Sequence, residues 1–379
     1  MTPGARAQAA IELLDAIIVA ARDNGPAADT LIARYFATRR YAGSKDRRAV
    51  RELVYTAIRL AGERPESGRA AMVALARHDP ALAAHFDGSP HCPAPVGAAE
   101  HGAVAGIAPQ WLVDRLSRSG IAADAMPALL DRAPLDVRVN ALKAVPADLS
   151  EALPDAAPLP HAPGGLRLPA GTNVEALAAW RDGLIEVQDE GSQIVSSAAR
   201  AAPDMAIIDL CAGAGGKTLA LAAAMADRGL LLACDSDRGR LSRLAPRADR
   251  AGVSIVETRL LDPGKEAAAL SDWQARADVV LIDAPCSGTG TWRRNPEARW
   301  RLTPDRLDRL VATQARLLRI GAALVKPGGA LVHIVCSLLD EEGQGQVAAF
   351  LADHPDWQAE PLSLATGITH GAGVRLTPA

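Results

Sequence analysis

The segment that most constrains the fold of this chain runs from Ala206 to Thr218 and reads AIIDLCAGAGGKT. An apolar run of strand type carries an acid at Asp209, glycines follow at 213, 215 and 216, and the pattern then becomes helical. Glycines let the backbone approach a ligand closely, and the first turn of a helix offers unpaired N–H groups to an anion. This segment therefore predicts a ligand site at the carboxyl end of a strand in a doubly wound α/β sheet.

Three ligand-binding motifs contain glycines between a strand and a helix, as this segment does. A P-loop needs glycine where Cys211 stands, and a dinucleotide fingerprint needs a G-x-G-x-x-G spacing that residues 213–216 do not reach. A methyltransferase motif needs only G-x-G after a strand that ends in an acid, and Asp209 supplies that acid. The pattern favours the methyltransferase motif, and a strand-to-helix turn that holds no ligand is the alternative.

From about residue 204 onward, apolar runs alternate with helical patterns, which is typical of a parallel sheet covered by helices. We predict strands at 206–210, 230–234, 253–257, 278–282 and 330–335, and helices at 217–225, 240–251, 305–325 and 342–354. Such sheets bind ligands beyond the carboxyl ends of their strands. The candidate site residues at those ends are Cys211, Asp235, Asp262, Asp283, Cys286 and Cys336.

The chain has 379 residues, which is more than one ordinary domain needs. Helical periodicity predicts a helical domain over residues 1–83, and a stretch rich in Pro, Gly and Ala predicts a linker over 84–106. Short strand-type runs in irregular sequence predict a small α+β connecting domain over 107–190. The α/β domain then occupies residues 191–379.

Positive charge is concentrated in two segments, although the net charge of the chain is −3. Arg34–Arg59 and Trp292–Arg319 each contain eight basic residues. Two basic patches on a nearly neutral protein suit a polyanion that is held at two places. Solvated helix faces are the alternative.

The cysteines and the apolar runs limit the possible partners and compartment. Five dispersed cysteines without a C-x-x-C pair argue against a disulfide framework and against a zinc site. The sequence has no apolar run long enough to span a membrane and no secretory signal, since Glu12 and Asp15 interrupt the first apolar stretch. We expect a cytoplasmic monomer without a metal or membrane partner.

Two acids follow the second and third predicted strands. Asp235 lies 22 residues beyond Gly213, where an acid typically binds ribose hydroxyls, and helix capping is the alternative role. Asp262 is placed either to face an adenine amino group or to begin a turn.

Cys286 lies in the segment DAPCSGTG from Asp283 to Gly290, and Cys336 ends the neighbouring strand. A single cysteine is more often a small buried side chain, but two thiols at one pocket predict nucleophilic chemistry. A thiolate that adds to carbon 6 of cytosine makes carbon 5 able to take a methyl group, and Asp283 is placed to stabilise that adduct. Thiols need nearby cations to ionise at neutral pH, and the candidate cations are Lys217, Arg293 and Arg294.

These motifs resemble those of the RsmB/NOP2/Sun-type RNA cytosine-5 methyltransferases, in the bacterial form that carries a NusB-like RNA-binding domain. The first motif of the family is similar to Cys211–Thr218, the fourth to DAPCSGTG with the following RRNPEARW, and the sixth to His333–Ser337. QDEGSQ from Gln188 is similar to the segment that leads into the catalytic domain, and GSKDR with ELVY, in residues 43–55, to the NusB-like domain. The resemblance covers nearly the whole chain.

The resemblance implies a Rossmann-like class I methyltransferase domain that binds S-adenosylmethionine and follows an RNA-binding helical domain. Cys336 would be the nucleophile, Cys286 would assist product release, and Asp283 and Lys217 would contact the target base. The implied substrate is RNA, in particular small-subunit ribosomal RNA. The implied cofactor site comprises Cys211, Ala212, Gly213, Ala214, Gly215, Gly216, Lys217, Asp235, Arg240, Asp262 and Asp283.

Three features depart from the family pattern. Ala214 replaces a proline in the first motif, and His333 and Val335 replace an aromatic residue and a threonine before Cys336. The sequence also reaches residue 379 where the family continues into a return strand, so we expect the sheet to lack its seventh strand.

The sequence thus predicts an RNA cytosine-5 methyltransferase, with two alternatives. The first is a methyltransferase that acts on DNA or protein, because DNA cytosine enzymes take their nucleophile from the Pro-Cys motif, which here contains Cys286. The second is a non-catalytic RNA-binding assembly factor, which would keep the basic helices but need neither cysteine.

Overall fold

The structure, a computed structural model, describes residues 1–378. Its α-helices are α1 (Pro3–Arg22), α2 (Ala28–Ala37), α3 (Ser44–Leu60), α4 (Gly68–Ala76), α5 (Pro80–Ala83), α6 (Gln110–Arg118), α7 (Ala178–Arg181), α8 (Glu190–Ser196), α9 (Gly216–Ala224), α10 (Arg238–Leu241), α11 (Leu244–Ala251), α12 (Glu266–Ala269), α13 (Pro304–Leu324) and α14 (Gln344–Asp353). Its strands are β1 (Leu135–Val139), β2 (Ala157–Pro158), β3 (Gly165–Leu168), β4 (Ile185–Val187), β5 (Ala206–Asp209), β6 (Leu230–Asp235), β7 (Val256–Leu260), β8 (Ala277–Asp283), β9 (Val325–Ile334), β10 (Ile368–His370) and β11 (Gly373–Arg375). Short 3-10 helices lie at Met126–Leu130, Pro146–Leu149, Val174–Ala176, Ser197–Ala199, Ser271–Trp273, Thr289–Thr291 and Pro296–Arg301.

Helices α1–α5 form a bundle around α1, which is buried on most of its surface. The helix begins at Thr2, whose side chain accepts the N–H of Ala5, and Pro3 occupies its first turn. Its apolar side chains, such as Leu14 and Ile17, belong to one core with residues of α3 and α4. Because α1 is apolar on several faces, it becomes the central helix of the bundle.

Residues 84–106 contain no regular helix or strand, yet they are packed on the helical bundle. The N–H of Gly62 donates to the carbonyl of Val104, and the N–H of Gly106 donates to the carbonyl of Leu60. Arg69 of α4 forms an ion pair with Glu100 at 2.6 Å. The stretch predicted as a linker is therefore held to the bundle by backbone and side-chain bonds, and the domain boundaries themselves stay predictions.

The small antiparallel sheet has the strand order β2-β3-β1-β4. Val137, Leu166 and Ile185 belong to its apolar core. Glu186 of β4 is buried and forms ion pairs with Arg247 and Arg250 of α11. This buried carboxylate attaches the small sheet to the α/β domain.

The α/β domain contains a parallel sheet in the order β7-β6-β5-β8-β9. Its two faces are covered by separate apolar cores, which explains why β5, β6 and β8 read as almost continuous apolar runs. The chain passes from β5 to β6 and β7 on one side and returns to β8 on the other. The switch in direction opens a crevice at the carboxyl ends of β5 and β8. The predicted α/β class with a helical N-terminal domain is confirmed.

Three predicted elements have different bounds in the structure. The fifth strand of the α/β domain, β9, begins at Val325 and not at 330. The third strand starts at Val256 and not at 253, because the N–H groups of Ser254 and Ile255 are bound by the side chain of Asp227 outside the strand. The helix predicted at 240–251 is divided into α10 and α11. The difference at β7 arises from a side-chain contact that apolar periodicity does not report.

The last two strands, β10 and β11, pair with each other and not with the parallel sheet. Within residues 1–378 the parallel sheet has five strands. In the same range, no helix combines the length and the apolar character needed to cross a membrane.

Candidate active site

A cavity of about 370 Å³ lies at the crevice between the ends of β5 and β8. The glycine turn, the start of α9, the end of β8 and the α8 region surround it. Seven of the predicted site residues line it, and they are Cys211, Ala212, Ala214, Gly216, Lys217, Arg240 and Asp283.

The glycine turn is shaped by two positive backbone angles and by one buried acid. Gly213 has φ +57° and Gly215 has φ +86°, which favour glycine over residues with a side chain. Asp235 accepts the N–H of Gly213 and the N–H of Asp237, each at 2.7 Å. The carboxylate of Asp235 therefore holds the turn in place from the end of the adjacent strand.

Arginines close the turn on its outer side. A Cβ atom at position 213 would lie 2.5 Å from the guanidinium of Arg240, so this glycine lets Arg240 lie against the backbone. Arg247 of α11 donates to the carbonyl of Ala214 and also binds Glu186 at 2.9 Å. The position where the family has proline is thus tied to α11 by a hydrogen bond.

The two acids predicted to bind the cofactor occupy different surroundings. Asp235 is buried, with both oxygens bound to backbone N–H groups. Asp262 is exposed, and neither acid belongs to the cavity lining. The structure therefore places Asp235 directly behind the turn and leaves Asp262 farther out, in the loop after β7.

Asp209 lines the cavity, although the sequence pattern indicated it only as the acid that ends a strand before the glycine turn. Its side chain is buried, Thr218 donates to its Oδ2 at 2.7 Å, and its Oδ1 has no hydrogen-bond partner within residues 1–378. Burial raises the pKa of Asp209 to about 7. An acid that ends a buried apolar strand was the available signal for this site residue.

Lys217 and Asp283 form the charged pair of the site. The Nζ of Lys217 lies 2.7 Å from the Oδ2 of Asp283, and both side chains line the cavity. Lys217 belongs to the first turn of α9 and Asp283 ends β8, so the two motifs meet here as predicted from the sheet geometry. The pair presents a donor and an acceptor side by side.

The two predicted cysteines lie next to each other, with their Sγ atoms 3.3 Å apart. A hydrogen bond joins the two sulfur atoms, and with Cys286 as its donor it lowers the pKa of Cys336; Lys217 acts in the same direction. The same hydrogen bond and burial raise the pKa of Cys286. The arrangement favours a thiolate at Cys336, which is the more exposed of the two, and a protonated thiol at Cys286.

Of the three cations proposed to act on the thiols, the two arginines have other partners. Arg294 forms an ion pair with Asp189, and Arg293 donates to the carbonyl of Arg132. We therefore do not assign Arg293 and Arg294 to the activation of a cysteine. They join the loop after Cys286 to residues 132 and 189 of the preceding domain. Lys217 is the cation that acts on Cys336.

The loop that follows Cys286 is embedded in the helical bundle. Arg299 is fully buried and donates to the carbonyls of Ile58 at 2.6 Å and Ala61 at 2.8 Å. Trp300 belongs to the core of the bundle, and Glu297 accepts the N–H of Ala28 at 3.0 Å. The arginine-rich segment 292–319 is therefore in large part an internal contact and not a free basic patch.

The basic residues of α2, α3 and their connection have a different environment. Within residues 1–378, no acid is paired with Arg34, Arg40, Lys45 or Arg48, and all four are exposed. Tyr41, at the same connection, is 72% exposed. This surface, which we call the α2–α3 basic surface, combines unpaired cations with an aromatic ring.

Histidine, cysteine, aspartate and glutamate side chains do not form a metal-binding group anywhere in residues 1–378. The residues at the cavity fit a nucleoside cofactor with a charged amino-acid part. Backbone N–H groups at the start of α9 suit a carboxylate, and Asp209 offers an unpaired buried oxygen. Arg240 and Asp283 supply further polar groups at the wall.

Comparison with known proteins gives a consistent result. A family model described as 16S rRNA methyltransferase RsmB/F matches residues 198–379. A probable ribosomal RNA small subunit methyltransferase B from Synechocystis sp. is 35% identical over 265 residues, which are 67% of this chain and 58% of that protein. This chain therefore spans less than two thirds of the length of that relative.

Solved structures agree at the level of the fold. PH0851 has a TM-score of 0.78 and 24% identity, and the match covers 100% of this chain and 96% of that chain. A methyltransferase homologue from Pyrococcus horikoshii has a TM-score of 0.57 and 28% identity, over 71% of this chain and 91% of that chain. The chain belongs to the RsmB/F family of 16S rRNA methyltransferases, a family that uses S-adenosylmethionine.

Proposed function

We propose that this protein methylates carbon 5 of a cytosine in RNA, with small-subunit ribosomal RNA as the substrate. The observation that carries the proposal is the thiol pair, 3.3 Å apart, beside the Lys217–Asp283 pair at 2.7 Å. Methyl transfer to an oxygen, a nitrogen or a protein side chain needs no thiol nucleophile. Methylation of a ring carbon needs one, because the ring must first be activated by a nucleophile, and the second thiol is placed to act on the resulting adduct.

S-adenosylmethionine, when bound, supplies an electrophilic methyl group. Ala212, Gly213 and Gly215 allow the backbone to approach it, and Asp235 keeps their turn in place. Other proposed cofactor contacts are Cys211, Ala214, Gly216, Lys217, Arg240 and Asp283, with Asp262 as an outer contact. Burial raises the pKa of the Cys211 thiol, so that side chain acts as a neutral wall of the site.

Cys336 begins the reaction as a thiolate and forms a sulfur–carbon bond at carbon 6 of the cytosine. The electrons displaced from the ring double bond accumulate at carbon 5 and the ring nitrogen, where the Lys217 ammonium donates a hydrogen bond. Asp283 orients that ammonium and accepts a hydrogen bond from the amino group of the base. Carbon 5 then takes the methyl group. The sulfur of Cys286, which releases its own proton to solvent once Cys336 is bonded to the ring, then takes the carbon-5 proton. Cleavage of the sulfur–carbon bond returns its electrons to Cys336, which restores the ring, the Cys336 thiolate and the Cys286 thiol.

RNA is held in this proposal by the α2–α3 basic surface. Its four unpaired cations suit phosphate groups, which position a nucleic acid without reading its sequence. The target cytosine must be single-stranded or extruded to reach Cys336. A cytoplasmic, monomeric protein without a metal or membrane partner stays a prediction.

A methyl-transfer assay with RNA and DNA of the same sequence in competition tests the substrate. We expect methyl groups to enter the RNA at cytosine, which bisulfite sequencing would locate. Preferential methylation of DNA or of protein would support the rival enzyme class. Calorimetry with S-adenosylmethionine tests the other rival, since an RNA-binding assembly factor without catalysis would show no heat of cofactor binding.

A further inference from the structure

Glu342, just before α14, is a fully buried carboxylate that the proposed reaction does not use. Within residues 1–378 it forms no ion pair, and its partners are the N–H of Ser287 at 2.8 Å, the hydroxyl of Ser287 and the side-chain amide of Gln314 at 3.0 Å. A buried charge is costly unless donors surround it. Its presence directly behind the cysteine loops therefore calls for a physical reason.

The partners of Glu342 connect the two cysteine loops. Ser287 follows Cys286, Ser337 follows Cys336, and the two serine hydroxyl oxygens are 3.0 Å apart. The N–H of Gly290 also donates to the carbonyl of Cys336 at 3.0 Å. The separation of the two sulfur atoms is thus set by bonds between their neighbours.

The carboxylate also fixes the direction of these bonds. Because a carboxylate only accepts, the Ser287 hydroxyl donates to Glu342 and must accept from Ser337. Ser337 in turn accepts from Thr289, at 3.3 Å, and from the N–H of Leu339, at 3.1 Å. One side chain, which accepts from Ser287, therefore orders a chain of hydroxyl groups that runs behind both thiols.

Different charged side chains lie near Cys286 and near Cys336. The hydrogen bond with Cys336 and burial raise the pKa of Cys286 most, and Glu342 adds to that effect. The same hydrogen bond lowers the pKa of Cys336 most; Lys217 adds to that effect, and Asp283 opposes it. His333 packs here as well, and burial lowers its pKa. Its Nε2 lies 3.1 Å from the carbonyl of Glu342, so it donates there as a neutral ring.

We propose that Glu342 is a positioning residue that sets the spacing of the two cysteine loops and keeps the proton on Cys286, which leaves Cys336 as the nucleophile. The inference rests on the proposed function only for the effect of Glu342 on methylation, because the reactivity of the two thiols can be measured without RNA or cofactor. Glu342→Gln removes the charge at nearly constant volume. Glu341→Gln is the matched control, because the adjacent, half-buried Glu341 pairs with Arg115 and does not contact Ser287 or Gln314.

The test is alkylation of the full chain with iodoacetamide from pH 6 to 10, with initial rates at each cysteine read by mass spectrometry. In the parent protein we expect Cys336 to react faster than Cys286 throughout the neutral range. In Glu342→Gln we expect the rate ratio to fall about tenfold, which corresponds to a relative displacement of the two thiol titrations by one pH unit. Glu341→Gln should keep the parent ratio.

A parent protein in which Cys286 reacts first would overturn the proposal, and so would equal ratios in Glu342→Gln and the parent. If Glu342→Gln does not fold, Ser337→Ala interrupts the hydroxyl chain at a half-buried position and should also lower the ratio. An unchanged rate ratio in Ser337→Ala would then count against the proposal. The measurement on the parent protein tests the proposal separately, because it needs no variant.

Methylation separates this inference from the proposed function. Glu342→Gln should lower kcat and alter its pH profile without changing KM for S-adenosylmethionine, because Glu342 does not line the cavity. A protein that loses thiol selectivity in the variant but never methylates RNA would retain the role of Glu342 and refute the function. If Glu342→Gln methylates RNA with unchanged kcat, the proposed function is retained and the role of Glu342 is refuted.

Discussion

The two arginine-rich segments have the same number of basic residues but opposite environments. In the segment 34–59 the side chains of Arg34, Arg40, Lys45 and Arg48 are exposed and unpaired within the described residues. In the segment 292–319, Arg299 and Arg301 donate to backbone carbonyls of the helical bundle. The comparison teaches that a count of charges in sequence does not separate an exposed cationic surface from an internal contact between domains.

The embedded segment also has a consequence for the helical bundle. Trp300 lies in the bundle core, only a short loop away from Cys286. The bundle therefore supports the shape of the loop that follows Cys286, in addition to presenting cations. RNA that binds to the bundle would contact a body that is packed directly on the active site.

The largest effect expected from this comparison is on stability. Arg299→Ala leaves the carbonyl of Ile58 buried without a donor and leaves Ala61 with the indole N–H of Trp300 alone, so we expect a loss of about 3 kcal/mol in the free energy of unfolding. Arg309→Ala, in the same segment but exposed, is the matched control and should leave stability unchanged. Urea denaturation measures both, and equal midpoints would contradict the internal role of Arg299.

The second effect is on RNA affinity. The double variant Arg40→Ala with Arg48→Ala should fold normally and bind RNA more weakly, because two phosphate contacts are lost. The slope of log K against log salt should become shallower by roughly 1.4, at about 0.7 for each contact with single-stranded RNA. Filter binding at several salt concentrations measures the slope. The control is the double variant Asp305→Ala with Asp308→Ala, both exposed residues, in which the slope should not become shallower.

The third effect is smaller and concerns the exposed face of α13. Arg309 and Arg319 remain on the surface although most arginines of their segment do not. If the RNA continues from the bundle across the α/β domain, replacing either one should change the salt slope by about one contact, or roughly 0.7. An unchanged slope for both would confine RNA binding to the α2–α3 basic surface and sharpen the contrast between the two segments.

The pH dependence of stability provides a smaller test of the cofactor side. The folded-state pKa of Asp209, at about 7, exceeds that of an unfolded aspartate, so its protonated form stabilises the fold. This contribution is fully present below about pH 4 and is lost as pH rises through 7. Asp209→Asn should flatten the dependence of the melting temperature between pH 4 and 7, and an unchanged dependence would contradict the assigned pKa.

The sequence predicted those features of the site that are local. Gly213, Gly215 and Lys217 lie in one turn, and Asp283 and Cys336 lie at ends of apolar strands, so strand order alone was enough to bring them together. Glu342 could not be found in this way, because its contact with Ser287 spans 55 residues. Arg299 was misjudged because arginine is normally a surface residue, and its burial depends on carbonyls of a distant helix.

The central claim is that Cys336 attacks cytosine and Cys286 releases the product, and the fate of the protein–RNA adduct tests it most directly. After incubation with RNA and S-adenosylmethionine, Cys286→Ala should accumulate a covalent adduct that migrates slowly on a denaturing gel. Cys336→Ala should give neither adduct nor methylated RNA, and adding it to Cys286→Ala should abolish the slow band. Trapping by Cys336→Ala, or methylation that survives the loss of Cys336, would contradict the account.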